Sequence, residues 1–101
     1  MEEQIQRVCG QIVSLVEPEK VILFNEKKGV GGQVSGFKLC VIVDDREPRR
    51  LEETIYMQVE CGVTFDVLVY DKADWQRLLD EPGSFAGRIA GSGRVLYEQA
   101  R

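Results

Sequence analysis

Histidine is absent from this 101-residue chain. That absence removes imidazole acid–base chemistry, the Ser-His and Cys-His nucleophile pairs and every His-containing zinc site. Cysteine is scarce: Cys9, Cys40 and Cys61 are the whole set, and no two stand at CxxC spacing. An odd, scattered set excludes a disulfide framework and a zinc knuckle. The three are expected as reduced thiols packed as small hydrophobes. No apolar run is long enough to cross a bilayer, and the acidic start Met1-Glu2-Glu3 has no signal-peptide pattern. No membrane partner and a cytoplasmic location are therefore expected. An excess of basic charge is also lacking, with 13 Lys and Arg against 17 Asp and Glu and a net charge of -4. Nucleic-acid binders carry a basic face, so no nucleic-acid partner is expected.

What remains is an ordinary globular composition, 44% hydrophobic and 30% charged. A chain of this size forms one domain, residues 1–101, and buries about two-thirds of its unfolded surface. Residues 3–16 place Ile5, Val8, Cys9, Ile12, Val13 and Val16 at helical spacing. Glu17-Pro18 stops that helix. Val21-Ile22-Leu23-Phe24 reads as a short buried strand, and residues 25–33 as a glycine-rich polar loop. Phe37, Leu39, Val41 and Val43 alternate with Lys38, Cys40 and Ile42 in a second strand. Asp44-Asp45 predicts a turn and a helix cap, and Pro48 suits the first position of a helix running to about Val59. Val63, Phe65, Val67 and Val69 mark a third strand. Asp71 can cap a helix carrying Trp75, Leu78 and Leu79, with Trp75 as a core or edge anchor. Pro82-Gly83 breaks that helix, and a short one follows with Phe85 and Ile89. Gly91-Ser92-Gly93 is a turn, and Val95-Leu96-Tyr97 closes the chain. The order αββαβαα predicts an α+β domain, a small mixed sheet of three to four strands flanked by helices.

Three strand segments and the tail carry a resemblance. VILF (Val21 to Phe24), SGFKLCVIV (Ser35 to Val43), VTFDVLVY (Val63 to Tyr70) and GSGRVLYE (Gly91 to Glu98) follow one another at suggestive spacing. In order and spacing they resemble the minimal nucleotidyltransferases of the DNA polymerase beta-like superfamily. There the first strand ends in LFGS, the second carries Asp-x-Asp and the third one more aspartate. The resemblance implies that fold over nearly the whole chain. It also implies a ligand-binding cleft formed by Asn25, Glu26, Lys27, Ser35, Gly36, Lys38 and Asp66.

The catalytic positions depart from the family pattern. Asn25-Glu26 stand where the family has Gly-Ser, and Gly36 and Lys38 where it has the two aspartates; only Asp66 remains, a catalytic remnant. The family's chemistry uses two divalent metals held by strand carboxylates. Aspartates at i and i+2 of a strand share a face, and magnesium needs such hard oxygen ligands. Gly36 supplies none, and Lys38 brings a positive charge to the place of a cation. No resident cofactor or metal is expected; magnesium with a nucleotide is the alternative. Adjacent second and third strands would set Lys38 against Asp66 as an ion pair, unless Lys38 simply reaches solvent.

Other features read as structure. Gly29-Val30-Gly31-Gly32 lacks the Lys-Ser ending of a phosphate loop and suits a connector. Arg46, Arg49 and Arg50 are balanced by Glu47, Glu52 and Glu53 at a solvated helix start. Three functions stay open. The first is a degenerate module, without catalysis, that binds a partner of the helical HEPN type, as the resemblance implies, or senses a nucleotide. The second is an active transferase with a rearranged site built on Asp66 with Glu26 or Asp44. The third is a self-associating structural protein, a homo-oligomer using the open edges of a short sheet.

Overall fold

The computed structural model describes residues 2–100, Val34 by its backbone alone. Helix α1 (Glu2–Val16) opens with two acidic residues, which suit the positive end of a helix. It buries Ile5, Val8, Cys9 and Ile12 along one stripe. Glu17 ends it in the left-handed region, at φ 47°. Its N–H donates to the Val13 carbonyl at 3.1 Å.

Strands β1 (Lys20–Lys28) and β2 (Val34–Val43) form an antiparallel hairpin. A short 3-10 turn at Val30–Gly32 joins them. Gly31 and Gly32 sit there at φ 85° and 81°, where a side chain would be strained. Helix α2 (Pro48–Gln58) then crosses back, so that β3 (Thr64–Asp71) lies parallel to β2. Helices α3 (Lys72–Leu79) and α4 (Phe85–Ser92) follow, and β4 (Arg94–Glu98) pairs antiparallel with β1. The sheet runs β3-β2-β1-β4. The α+β class with a small mixed sheet is as expected.

Several local readings need correction. Residues 25–28 are strand rather than loop, because β2 supplies their backbone partners; their polar side chains are exposed, which hides any strand pattern. The tail is a fourth strand beside β1, so the order is αββαβααβ. Gly91 and Ser92 belong to α4 and not to a turn. Asp71 holds the position before α3, but its side chain makes no capping bond. It is also the last residue of β3, paired with Val43.

The sheet is covered on both faces. Val21, Leu23, Phe37, Leu39, Val41, Val43 and Val67 pack against α1 and Ile55 of α2. Ile22, Cys40 and Ile42 pack on the other face against Trp75 of α3 and Ala86 and Ile89 of α4. Trp75 is thus a core residue, and Tyr70 lies against it with ring centres 5.4 Å apart. Each such side chain contributes about 1.5–3 kcal/mol on burial. Cys9 and Cys40 are buried, as expected, whereas Cys61 is only half-buried beside Gln4. Burial pushes the Cys40 thiol up to about 12, so it stays neutral.

Both sheet edges are protected. On the open side of β3, the Tyr56 hydroxyl of α2 accepts from the Val67 N–H at 2.7 Å. The Glu52 carboxylate accepts from the Val69 N–H at 3.4 Å. Strand β4 is short and carries a bulge, since Tyr97 pairs with Val21 and Val95 with Ile22, leaving Leu96 as the extra residue. Arg94 anchors the start of β4 to α1 by donating to both oxygens of Glu2, at 2.8 and 2.9 Å. These bonds hold the Glu2 carboxyl below the usual range. The tie therefore contributes above the unfolded carboxylate's pKa and fades as pH falls through the lower folded value.

Two glycines near the end of α4 should respond in opposite directions. A Cβ on Gly93 would lie 2.5 Å from Ile22 Cγ2 and 2.6 Å from the Ile89 carbonyl oxygen. Around Gly91 nothing lies within 4 Å. Denaturant unfolding of Gly93→Ala should show a loss of about 1–3 kcal/mol. Gly91→Ala should gain about 0.5–1 kcal/mol, the usual helical preference for alanine. The Tyr56 hydroxyl is the partner of the Val67 N–H, and Tyr56→Phe should cost about 1–2 kcal/mol. Amide exchange should then accelerate at Val67 and not at the central-strand residue Val41.

Candidate functional site

Past the cover of α3 and α4, the sheet continues as three rows. Lys27 pairs with Gly36, and Gly36 with Thr64. Asn25 pairs with Lys38, and Lys38 with Asp66. Leu23 pairs with Leu39, and Leu39 with Val67. Directly paired residues share a face and neighbours along a strand alternate. Lys38 therefore lies on the face that carries Cys40 and Ile42 lower down. Asn25, Lys27, Gly36 and Asp66 share that face.

Glu26 does not. Glu26 pairs with Phe37, whose ring belongs to the core under α1 and α2. Ser35 is the extra residue where Lys27 pairs with Gly36 and Lys28 with Val34, and its hydroxyl donates to the Lys27 carbonyl at 3.3 Å; Glu26 is turned to the other face for a separate reason. The cause is a bulge in β1, where Leu23 pairs with Leu39 and Asn25 with Lys38, leaving Phe24 as an extra residue. Phe24 and Asn25 consequently lie on the same side. Of the seven residues expected to line one cleft, five share a face, Glu26 belongs to the other, and Ser35 lies at an irregularity of β2.

The charges are in register but not joined. Among the described residues, no ion pair within 4.0 Å links Lys38 to Asp66. Asp66 is exposed and Lys38 half-buried. In water such charges gain little by closing on one another, because the Coulomb gain hardly exceeds the side-chain entropy. The expected ion pair is thus replaced by two cross-strand neighbours facing solvent. The negative charge of Asp66 is still felt by Tyr56, whose hydroxyl is pushed up first by burial and then by Asp66 and Glu52.

Gly36 is constrained by its neighbour strand. A Cβ built there would stand 2.8 Å from the Thr64 carbonyl oxygen. A side chain at this position requires β2 and β3 to move apart. Among the described residues, no three His, Cys, Asp or Glu side chains are grouped to hold a metal ion. The sheet end offers one carboxylate, one amide, one hydroxyl and two ammonium groups, those of Asp66, Asn25, Thr64, Lys27 and Lys38, on a flat, solvated face. Such a face can form hydrogen bonds and ion pairs with a docked surface.

Asp44 and Asp45 lie at the far end of β2. Asp45 accepts the Glu47 N–H at 2.8 Å, which forms the turn into α2, but the helix has no side-chain cap. Asp44 lies six residues beyond Lys38, about 20 Å along the strand. It does not converge with Asp66, and neither does Glu26 on the opposite face. Compared with protein-family models, with curated proteins and with solved structures, the chain matches none.

A concave region went unmarked by any motif. It lies at the opposite end of the same sheet face and is lined by Glu19, Lys20, Lys72, Trp75 and Glu98 among others. Four separate segments supply these residues, and each alone reads as a turn or a solvated strand end. Only the sheet order brings them together.

The wall at Gly36 makes a test of the sheet end. The double variant Gly36→Asp/Lys38→Asp restores an Asp-x-Asp spacing beside Asp66. It should bind neither magnesium nor manganese by calorimetry. Its unfolding midpoint should drop, because any side chain added at Gly36 meets the Thr64 carbonyl. Lys38→Gln alone should keep the wild-type stability within about 0.5 kcal/mol, because Lys38 makes no ion pair with Asp66 within 4.0 Å.

Proposed function

We propose that this chain is a nucleotidyltransferase-like module that works by binding rather than by nucleotidyl transfer, and that its ligand is a partner protein. One observation carries the reading. The positions that would hold the catalytic metals are occupied by a glycine walled in by Thr64 and by a lysine beside Asp66. A two-metal mechanism needs converging carboxylates, and a single exposed one does not hold a metal pair.

The shape of the sheet end favours a protein over a small molecule. Asn25, Lys27 and Asp66 are exposed side by side on a sheet surface. Small ligands favour concave, largely apolar sites, whereas protein interfaces are broad with a polar rim. A helical partner of the HEPN type is the one the family resemblance implies. A nucleotide-sensing role is the competing form of the same reading.

Calorimetric titration with ATP and with GTP, each with and without magnesium, separates these cases. No heat of binding is expected under any of the four conditions. Binding that requires magnesium and disappears in Asp66→Asn would overturn the proposal and restore the transferase. Binding without magnesium would replace the partner protein by a regulatory nucleotide.

A further inference from the structure

We propose that the recess between α3 and the ends of β1, β2 and β4 binds a small zwitterion with an apolar body, the chemistry of a free α-amino acid or a dipeptide. The recess measures about 570 Å³ and is lined by Ile42, Trp75, Lys20, Lys72, Glu19 and Glu98, among others. That volume lies in the range of small-molecule sites, about 300–1,000 Å³. It lies at the opposite end of the sheet face from Lys38 and Asp66, so it is independent of the function proposed above.

The lining fixes the ligand class. Ile42 and Trp75 are buried side chains and form an apolar floor. The rim carries two ammonium groups and two carboxylates. Lys72 Nζ lies 3.5 Å from Glu19 and 3.6 Å from Asp44. Lys20 Nζ and Glu98 are 4.0 Å apart, the outer limit of an ion pair. Partly exposed pairs at these separations hold one another weakly and can exchange partners with a ligand. A purely anionic ligand would face two carboxylates, and a purely cationic one two lysines. A ligand with both charges can place its carboxylate at Lys20 and Lys72 and its ammonium at Glu98 and Glu19. The ligand's hydrocarbon side chain then covers the floor, which supplies the apolar contribution.

Trp75 is the only tryptophan in the chain, so its emission reports on this recess without a label. The intact protein should be titrated with L-leucine and with L-leucyl-L-leucine. Isopentylamine and 4-methylpentanoate serve as single-charge analogues. Both zwitterions should change the Trp75 emission saturably and shift the amides of Lys20, Lys72 and Glu98, and the tighter one identifies the source. The single-charge analogues should bind at least about tenfold more weakly. Lys20→Gln and Glu98→Gln should each weaken binding about tenfold, with circular dichroism and unfolding midpoint unchanged. The proposal is overturned by no saturable change with either zwitterion, by equal binding of the analogues, or by amide shifts confined to the Lys38 end.

Discussion

Burial of β2 on both faces is the constraint from which the rest of the arrangement follows. Phe37, Leu39, Val41 and Val43 fill one core while Cys40 and Ile42 fill the other. A strand apolar on both sides must be central and must have helices above and below it. Strand β1 can reach its side by a hairpin, but β3 is parallel to β2 and needs a crossover. Helix α2 is that crossover and covers one face with α1; α3 and α4 are left to cover the other. The two helical pairs are shorter than the β1–β2 hairpin, so the sheet emerges from between them at one end. That emergence creates the flat polar surface at Lys38 and Asp66.

The two ends of that face differ because different elements bound them. At the hairpin end no helix turns inward, and the residues of three strands lie in open rows. At the other end α3 starts directly from β3 and faces the beginning of β1 and the end of β4. A wall opposite a wall makes a recess, with Trp75 held at its base by Tyr70 and the second core. A chain with the same elements but without β4 would lose one wall and leave only a surface there. Recess and flat surface are thus consequences of one sheet order, and their shapes differ for geometric reasons.

Much of the architecture was legible because burial leaves a period in the sequence. Strand β3 and helix α1 alternate or repeat as their buried faces require, and Val21 to Phe24 marks the covered half of β1. What was not legible has one common cause. Residues 25–28 are strand only because β2 lies beside them, and polar side chains exposed on both faces carry no period. Val95 to Tyr97 is likewise strand by virtue of β1. The bulge at Phe24 has a larger effect, since it exchanges the faces of Asn25 and Glu26. Plain alternation from Leu23 would pair Phe24 with Lys38 and turn Glu26 to the Lys38 face; one extra residue pairs Asn25 with Lys38 instead. Spacing within a motif therefore located the strands of the candidate site but not the sides on which its residues stand. The recess at α3 was hidden for the further reason that its charges come from segments far apart in the chain.

Edges and faces of this sheet are treated differently, and that bears on self-association. An open edge invites another strand, and proteins blunt such edges with short strands, bulges, lysines or covering side chains. All four devices occur here. Tyr56 and Glu52 occupy the backbone donors of β3. Strand β4 has five residues and a bulge. Where β4 stops at Leu23, the rest of β1 presents Lys27 and Lys28. Growth of the sheet by adding a second copy edge to edge is opposed on every side. The hairpin face has no such protection. It carries Asn25, Lys27 and Asp66 in the open, beside the contact between Phe24 and the exposed ring of Phe85. What this end of the sheet offers outward is thus side chains and not backbone groups.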